Sequence, residues 1–360
     1  MSKVYTALGL MSGTSADGVD ASVIKSDGET SYKVILNKYF KYEEDIYKKI
    51  HKIKDNLNES NDIKILAKDL KDIEKRITLF HAQVVNNIIT NNNIELVGFH
   101  GQTIFHNPEE QISIQLGDGK LLSQLIKKTV IYNFRKNDLK NGGEGAPLTP
   151  IFHKVLVSQN KIDLPVTILN IGGIANITSI DKNKKISSRD IGPGSCLVDS
   201  WVRNNSDKNF DDEGRIARSG RINEIILTQS LDNFYNNDIS KKKSYDVKDF
   251  DPSFVRGLTL EDGAATLTEF SAKIFENKNF HKNVYVCGGG RKNKFLLEKI
   301  EKVIESKIKQ IDELDIDGDF VESQAFAYLG IRAYLKLPIS FPETTGVKKS
   351  CTGGEIIKFI

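Results

Sequence analysis

The chain has few cysteines, little charge imbalance and no long apolar run, and each absence excludes a class of protein. Its 360 residues include 3 cysteines, none of them in a CxxC pair. Such sparse thiols argue against a disulfide framework and indicate a reducing cytosol. A net charge of +3, from 51 basic and 48 acidic residues, is too balanced to indicate a nucleic-acid or membrane partner. No segment approaches the apolar length of a membrane span, and residues 4–11 lead straight into a turn, unlike a signal peptide.

Two catalytic signatures are also missing. Residues 13–18 begin like a Walker A loop, but Val19 and Asp20 stand where Lys and Ser/Thr are required, and a strand follows in place of a helix. His100 and His106 lack an acid at the spacing of a zinc-binding HExxH helix. The sequence therefore excludes a P-loop, and it favours polar contacts to a sugar over a metal site at these histidines.

What the chain does contain is a repeated hairpin. Residues 8–24 form an apolar run, a turn of small residues and a second apolar run, and residues 168–178 repeat this design. Turns of small residues bind anions because the backbone comes close and directs several amides inward. We therefore expect two similar lobes that hold one phosphate chain. An ordinary hairpin turn is the alternative for the first copy, since Asp-Gly is a common turn pair.

A third glycine turn, Gly288–Gly290, follows a predicted buried strand at 283–287. Each glycine turn alone is a weak sign of a ligand. Their order along the chain, however, resembles that of the actin/hexokinase/Hsp70 superfamily, in which two phosphate turns are followed by an adenosine turn. The resemblance predicts nucleotide binding.

The order of predicted elements is that of an α/β protein. After three strands, apolar residues step by three and four from Ile63 to Ile88, which predicts an amphipathic helix. A fourth strand at 94–99 runs into the polar segment 100–103. Ligands bind beyond the carboxyl ends of strands in open α/β sheets, so this segment is a candidate ligand site.

The chain is long enough for two domains with cores of their own. We expect an N-terminal lobe over residues 1–140 and a C-terminal lobe over residues 141–339, with the tail 340–360 packing back on the first lobe. The glycine-rich segment 141–147 is a candidate hinge or substrate loop. Residues 204–260 are polar and irregular and permit no assignment.

Four acidic residues are candidates for chemistry. Asp190 lies in the segment 189–194, whose glycines and proline predict a defined turn beside a helix start. A carboxylate fixed in this way can serve as a general base, and a helix cap is the alternative. Glu322 opens a buried helix, either as a partner of the helix dipole or as a ligand-facing acid. Asp17 and Asp20 in the first turn suit Mg²⁺.

These residues and their order are similar to those of the anhydro-N-acetylmuramic acid kinase family across nearly the whole chain. The motifs that carry the resemblance are residues 9–20, 100–103, 134–135 with Asp138, 142–148, 170–176, 190–194, 265–268, 287–290 and 322–327. So many motifs in one order are highly specific.

The resemblance implies an actin-like (ribonuclease H-like) α/β fold of two lobes with an interlobe cleft. It implies an ATP-dependent kinase with Mg²⁺ that acts on 1,6-anhydro-N-acetylmuramic acid in peptidoglycan recycling. Water attacks the anomeric carbon, the anhydro bridge opens, and O6 takes the γ-phosphoryl group. By matching motif, Asp190 activates the water. The family also implies a cytoplasmic homodimer whose partner is a small anhydro amino sugar.

The resemblance assigns the other site residues as well. The nucleotide contacts Gly13, Thr14, Ser15, Ala16, Asp17, Gly18, Val19, Asp20, Asn170, Gly172, Gly173, Gly288, Gly289 and Gly290. The sugar contacts His100, Gln102, Thr103, Arg135, Glu144 and Glu322. Asp17 and Asp20 are the metal candidates.

The chain departs from the family pattern at a few positions. Ala16 replaces Leu, Asn133 replaces Asp, Ser195 replaces Asn, and residues 243–246 depart from a Lys-Ser-Thr-Gly pattern. These departures leave sugar specificity open. Two alternatives therefore stand: a kinase for another anhydro or amino sugar, and a nucleotide-binding sugar sensor without turnover. Retention of Asp190 and of both acids in the first turn favours an enzyme.

Overall fold

A computed structural model describes residues 3–237, 244–276 and 278–359. Its contacts divide the chain into two compact units. The first is formed by Met1–Ile162 with Asp319–Ile360, and the second by Asp163–Gly318.

The elements alternate along the chain as an α/β fold requires. The strands are β1 (Tyr5–Ser12), β2 (Gly18–Ser26), β3 (Tyr32–Lys41), β4 (Leu96–Asn107), β5 (Ile112–Leu116), β6 (Thr129–Tyr132), β7 (Val166–Ile171), β8 (Ile174–Ile180), β9 (Ile186–Pro193), β10 (Asn283–Cys287), β11 (Ile308–Gln310) and β12 (Glu355–Ile357). The helices are α1 (Glu44–Asn56), α2 (Asp62–Ile65), α3 (Ala67–Ile89), α4 (Gly119–Ile126), α5 (Lys136–Lys140), α6 (Pro150–Gln159), α7 (Cys196–Asn205), α8 (Arg215–Ser219), α9 (Glu224–Asn236), α10 (Leu260–Lys273), α11 (Lys294–Ile304), α12 (Val321–Tyr334) and α13 (Pro342–Thr345).

Five strands in each of the two sheets follow the same order. In the first unit the order is β12-β6-β4-β1-β2-β3, with β5 paired to β4. In the second it is β11-β10-β7-β8-β9. Each sheet has an antiparallel meander, β1-β2-β3 or β7-β8-β9. Each is then extended by parallel strands, β4 and β6 or β10 and β11. This repeat confirms the prediction of two similar α/β halves.

The helices supply the crossovers that parallel strands need. The long helix α3 leads from β3 towards β4, and its buried side chains include Leu70, Ile73, Ile77, Val84 and Ile88. These are the apolar positions that the sequence periodicity predicts. Each unit has a hydrophobic core of its own. Among the described residues, no helix combines the length and apolar character that crossing a membrane requires.

Helix α12 belongs to the first unit, because glycines on two strands let it lie directly on the sheet. Gly9 of β1 pairs with Gly98 of β4. A Cβ on Gly9 would lie 1.9 Å from the carbonyl oxygen of Ser323, and a Cβ on Gly98 would lie 2.2 Å from that of Phe326. Only glycine permits this approach. Every residue of α12 except Glu322 and Tyr334 is buried, as its apolar sequence predicts.

The division of the chain therefore differs from the predicted lobes of 1–140 and 141–339. Residues 141–162 and α12 belong to the first unit, so the segment 141–147 lies inside that unit and not at its boundary. The end of the tail pairs with the first sheet, since β12 runs antiparallel to β6. Within the unassigned stretch 204–260, the described residues form α8, α9 and several short turns.

Candidate active site

The first glycine turn, residues 13–17, links β1 to β2. Gln102 Nε2 donates to the Gly13 carbonyl at 2.8 Å, which ties β4 to the turn. The Ala16 amide donates to the same carbonyl at 3.1 Å, and Ala16 has a φ of 54°. Non-glycine residues rarely adopt this left-handed region, so contacts impose the shape of the turn. All predicted nucleotide residues of this segment, 13–20, lie in the turn and the start of β2.

The two acids of this segment differ in their surroundings. Asp17 accepts hydrogen bonds from Ser15 Oγ at 2.5 Å and from Tyr39 Oη at 3.2 Å. Asp20 lies on β2 opposite Tyr39 of β3. The described residues contain no group of three or more side chains able to hold a metal. Mg²⁺ is commonly bound through one or two carboxylates plus substrate phosphates, so this pair of acids fits a magnesium ion that arrives with a nucleotide.

Buried His100 and partly buried Arg135 form a polar pair in the first unit. The His100 ring donates from Nδ1 to the Gly101 carbonyl at 2.8 Å, and its Nε2 accepts from Arg135 Nη2 at 3.1 Å. Burial, with a smaller contribution from the neighbouring Arg135 guanidinium, lowers the pKa of His100 to about 3. The imidazole is therefore neutral at physiological pH, and the two hydrogen bonds fix its tautomer.

Glu322 lies on α12, the helix that contacts His100. It is the second residue of α12, one turn before Phe326, whose ring centroid lies 4.4 Å from that of His100. Residues four apart share a helix face, so Glu322 lies on the side of α12 that reaches His100. Its position in the first helical turn is consistent with both roles predicted from the sequence.

Gln102 follows a β-bulge. The register of β1 against β4 shifts between Leu10 and Ser12, and Ser12 pairs with Gln102. Gln102 is fully buried, and its Oε1 has no hydrogen-bond partner among the described residues. Leaving such an atom unsatisfied costs free energy, so a ligand hydroxyl is a suitable donor. Its neighbour Thr103 accepts from Gln115 Nε2 at 3.3 Å.

Glu144 lies in a loop that a buried acid organises. Asp138 of α5 accepts from the Gly145 amide at 2.6 Å and from Thr345 Oγ1 at 2.5 Å. The Glu144 amide donates to the Thr345 carbonyl at 2.8 Å. The loop is thus fastened to α5 and α13, while the Glu144 side chain is only partly buried.

In the second unit, a row of polar residues crosses the sheet beside the second glycine turn. Asn170 of β7 pairs with Asn176 of β8, and Asn176 pairs with Asp190 of β9. On the other side, Cys287 of β10 pairs with Asn170, and the Cys287 Sγ lies 3.7 Å from the Asn170 Oδ1. Directly paired residues project from the same face of a sheet. Asp190 therefore shares a face with Asn170, two residues before the turn at Gly172–Gly173.

Asp190 lies in a strand and not in the predicted turn. β9 continues through Pro193, and α7 begins at Cys196, so the helix-cap alternative is wrong. The pairing with β8 skips Ile191, which is a β-bulge of the kind that re-aims side chains near active sites. Asp190 is 5% exposed, and its Oδ2 accepts from the Tyr245 amide at 2.8 Å. A buried, fixed carboxylate of this kind suits a general base.

The third glycine turn follows β10 and packs on the end of β7. A Cβ on Gly288, whose φ is 82°, would lie 2.4 Å from the Asn170 Oδ1. A Cβ on Gly290 would lie 2.3 Å from the Ile171 Cγ2, whereas one on Gly289 would meet nothing within 4 Å. The structure therefore brings Asn170, the second turn and the third turn together at the carboxyl ends of β7 and β10.

One of the departures from the family pattern has a local explanation. Asn133 Nδ2 donates to Glu355 Oε2 at 3.2 Å, a carboxylate that an aspartate at position 133 would repel. Nothing in the structure explains Ser195 in place of Asn, since its contact with the second turn is made by the backbone amide, which donates to the Gly172 carbonyl at 3.0 Å. Lys243 lies outside the described residues.

Sequence reasoning missed several contributors to these sites. Tyr245 holds the Asp190 carboxylate, and His51 and Lys54 of α1 bond to the first turn. The three-residue spacing of His51 and Lys54 predicts that the two side chains share a helix face. No local sequence pattern predicts that α1 packs on the turn.

Twin α/β units, each with a glycine turn after its first strand, define the actin-like class of ATPases and sugar kinases. A profile of the family described as anhydro-N-acetylmuramic acid kinase matches residues 5–358. A protein of that name from Pelagibacter ubique (strain HTCC1062) is 52% identical over 99% of this chain and 100% of its own length. Another from Methylobacterium nodulans is 37% identical over 97% of this chain and 98% of its own length. The chain belongs to the anhydro-N-acetylmuramic acid kinase family.

Similar solved structures are more distant. A ROK family glucokinase from Streptomyces griseus, in complex with glucose and AMPPNP, aligns with a TM-score of 0.41 and 13% identity over 90% of this chain and 99% of that one. Component A of (R)-2-hydroxyglutaryl-CoA dehydratase from Acidaminococcus fermentans aligns with a TM-score of 0.45 and 10% identity, over 92% and 100%. At these scores neither likeness bears on function.

Proposed function

We propose that this protein is an ATP-dependent kinase that opens 1,6-anhydro-N-acetylmuramic acid with water and phosphorylates O6. The product is N-acetylmuramic acid 6-phosphate. Family membership supports the reaction. The structural observation that carries the chemistry is Asp190, a buried carboxylate at a β-bulge that shares a sheet face with Asn170, two residues before the second glycine turn.

In this proposal Asp190 is the general base. Water attacks the anomeric carbon C1, and its proton passes to the Asp190 carboxylate. The bond from C1 to O6 breaks, and O6 takes the γ-phosphoryl group of ATP as ADP leaves. Asp190 is suited to this step because the Tyr245 amide at 2.8 Å holds one carboxylate oxygen in place.

The proposed sugar contacts lie in the first unit and include the His100–Arg135 pair. The Arg135 guanidinium suits the lactyl carboxylate, since charge-assisted hydrogen bonds are the strong ones. Neutral His100 holds Arg135 in place at 3.1 Å, and its low pKa keeps it an acceptor. Gln102, Thr103, Glu144 and Glu322 are proposed contacts for sugar hydroxyls, and the unsatisfied Oε1 of Gln102 suits such a donor.

The glycine turns are the proposed nucleotide contacts. Residues 13–20, Asn170, Gly172 and Gly173 contact phosphates, and Gly288–Gly290 contact the adenosine. Phosphoryl transfer depends mainly on positioning and charge neutralisation, which such turns provide. Asp17 and Asp20 would hold Mg²⁺, which when bound neutralises charge on the phosphates.

A coupled ADP-release assay tests the proposal with 1,6-anhydro-N-acetylmuramic acid, levoglucosan and free N-acetylmuramic acid as acceptors. We expect turnover with the first sugar and a product phosphorylated at O6 by ³¹P NMR. Equal or faster turnover with either other sugar, or binding of nucleotide and sugar without turnover, would contradict it.

Two further properties follow from the family and are part of the proposal. We expect a homodimer, which light scattering on the purified protein measures. We also expect a cytoplasmic enzyme, which cell fractionation measures.

A further inference from the structure

The carbonyl groups of the first turn are held by side chains of α1. Lys54 Nζ donates to the Thr14 carbonyl at 2.8 Å, and His51 Nε2 donates to the Ser15 carbonyl at 3.0 Å. The preceding carbonyl, that of Gly13, accepts from β4 and from within the turn at 2.8 Å and 3.1 Å. Each of three successive carbonyls in the turn is therefore held by a hydrogen bond from within the first unit.

This arrangement fixes where the amides point. In a planar trans peptide the C=O of one residue and the N–H of the next point in opposite directions. Holding the Gly13 and Thr14 carbonyls thus directs the Thr14 and Ser15 amides away from the donors that hold those carbonyls. Successive amides aimed the same way form an anion-binding concavity.

Helix α1, which carries the two donors, is anchored in the core of the first unit. His51 and Lys54 are three residues apart, so they lie on one helix face. Ile46, Ile50 and Ile53 of the same helix are buried in the core of the first unit. The ring of His51 also lies against Tyr47, with the centroids 4.4 Å apart.

The second turn achieves the same result with backbone alone. The Gly172 carbonyl accepts from the Ser195 amide at 3.0 Å, and the Gly173 carbonyl accepts from Gly194 at 2.8 Å and Cys196 at 3.2 Å. The carbonyls of both turns are therefore held by hydrogen bonds from the same unit. In the second unit the start of α7 holds them, and in the first unit side chains do, so only the first can be tested by substitution.

We propose that Lys54 and His51 are positioning residues for the phosphate chain of the nucleotide. They do not contact the phosphates. Lys54 holds the Thr14 carbonyl so that the Ser15 amide faces the ligand, and His51 holds the Ser15 carbonyl and so fixes the next peptide, whose Ala16 amide closes the turn. The inference rests on the proposed function, since it takes the first turn as a phosphate site.

The test compares Lys54→Met with Lys52→Met, an exposed position on the same helix, and with the conservative Lys54→Arg. Dissociation constants for ADP and for adenosine are measured by calorimetry, and KM for ATP and for the anhydro sugar by ADP release. One hydrogen bond from a charged group predicts a loss of about 10-fold in ADP affinity for Lys54→Met. Adenosine affinity and the KM for the sugar stay unchanged, and Lys54→Arg recovers most of the loss.

His51→Phe provides a second variant that keeps the ring contact with Tyr47 and removes the donor. We expect a smaller loss in the same direction and an unchanged melting temperature. The inference is overturned if Lys54→Met matches Lys52→Met in ADP affinity, or if adenosine affinity falls as much as ADP affinity. If the wild-type enzyme itself shows no ATP-dependent phosphorylation of the anhydro sugar, the proposed function fails, which is a separate result.

Discussion

Asn176 pairs directly with Asp190 across β8 and β9, at the point where the register shifts. The Oδ1 of Asn176 is buried and has no hydrogen-bond partner among the described residues. A bulge thus places a buried amide oxygen and a buried carboxylate side by side on one sheet face. A water molecule donating to both oxygens would be oriented for removal of a proton, which is the step assigned to Asp190.

Asp190→Asn is predicted to abolish most turnover and leave folding intact. Asparagine keeps the oxygen that accepts from the Tyr245 amide but cannot take a proton, and a general base contributes about 10²–10⁴-fold. The measurement is kcat by ADP release, with the melting temperature recorded alongside. Asp181→Asn, at the opposite end of the β8–β9 hairpin, is the control. A loss of only a few-fold would remove Asp190 as the base.

Arg135→Gln is predicted to weaken sugar binding selectively. A hydrogen bond to a charged group contributes about 1.5–3 kcal/mol, so KM for the sugar should rise by about 10–100-fold while KM for ATP is unchanged. Steady-state kinetics with each substrate varied in turn make the comparison. Lys136→Gln is the matched control, because Lys136 bonds to Glu355 at 2.6 Å on the surface. Equal changes in both KM values would contradict the assignment.

Gly290→Ala is predicted to lower stability, whereas Gly289→Ala is predicted to affect nucleotide binding and leave stability unchanged. A Cβ on Gly290 meets Ile171 at 2.3 Å, and overpacking costs about 1–3 kcal/mol, so the melting temperature should fall. A Cβ on Gly289 meets no protein atom within 4 Å, so stability is kept while KM for ATP rises if the adenosine lies there. Thermal melting and ATP kinetics on the two variants measure both effects. An unchanged KM for ATP in Gly289→Ala would show that the adenosine does not bind at Gly289.

Buried histidines are predicted to make folding stability depend on pH. Burial lowers the pKa of His81 and His153 to about 4 and that of His100 to about 3. Each lies below the unfolded value of about 6.5, so the stabilisation is present above pH 6.5 and is lost as pH falls towards the folded pKa.

Urea unfolding between pH 7.5 and 5 measures this dependence. Each histidine contributes a fall of up to about 1.4 kcal/mol per pH unit below pH 6.5. His81→Phe keeps an aromatic ring against Phe99. It should reduce the slope of unfolding free energy against pH by the contribution of one histidine. An identical slope in wild type and His81→Phe would show that His81 does not contribute.

Much of the fold could be predicted because the signals are local. Alternating apolar runs and small-residue turns predicted the hairpins at β1–β2 and β7–β8, and periodicity predicted α3. The order of the glycine turns predicted the superfamily, and motifs along nearly the whole chain predicted the family, which the family profile over residues 5–358 confirms. The individual site residues stay predictions until they are tested.

Other features had no local signal. The glycines and proline after Asp190 suggested a turn, but pairing with β8 draws them into β9. The sequence also suggested that α12 belongs with the second lobe, whereas its backbone rests on Gly9 and Gly98 of the first. Both outcomes depend on segments distant in sequence.

The sequence by itself determined the two hairpins, the glycine turns and the chemical types present at each, because backbone propensity and turn chemistry act between near neighbours. Only the tertiary structure decided that a bulge presents Asp190, that α12 completes the first unit, and that Lys54 and His51 hold the first turn. These depend on how closely distant backbones can pack and on which donors reach which carbonyls, and no local pattern encodes either.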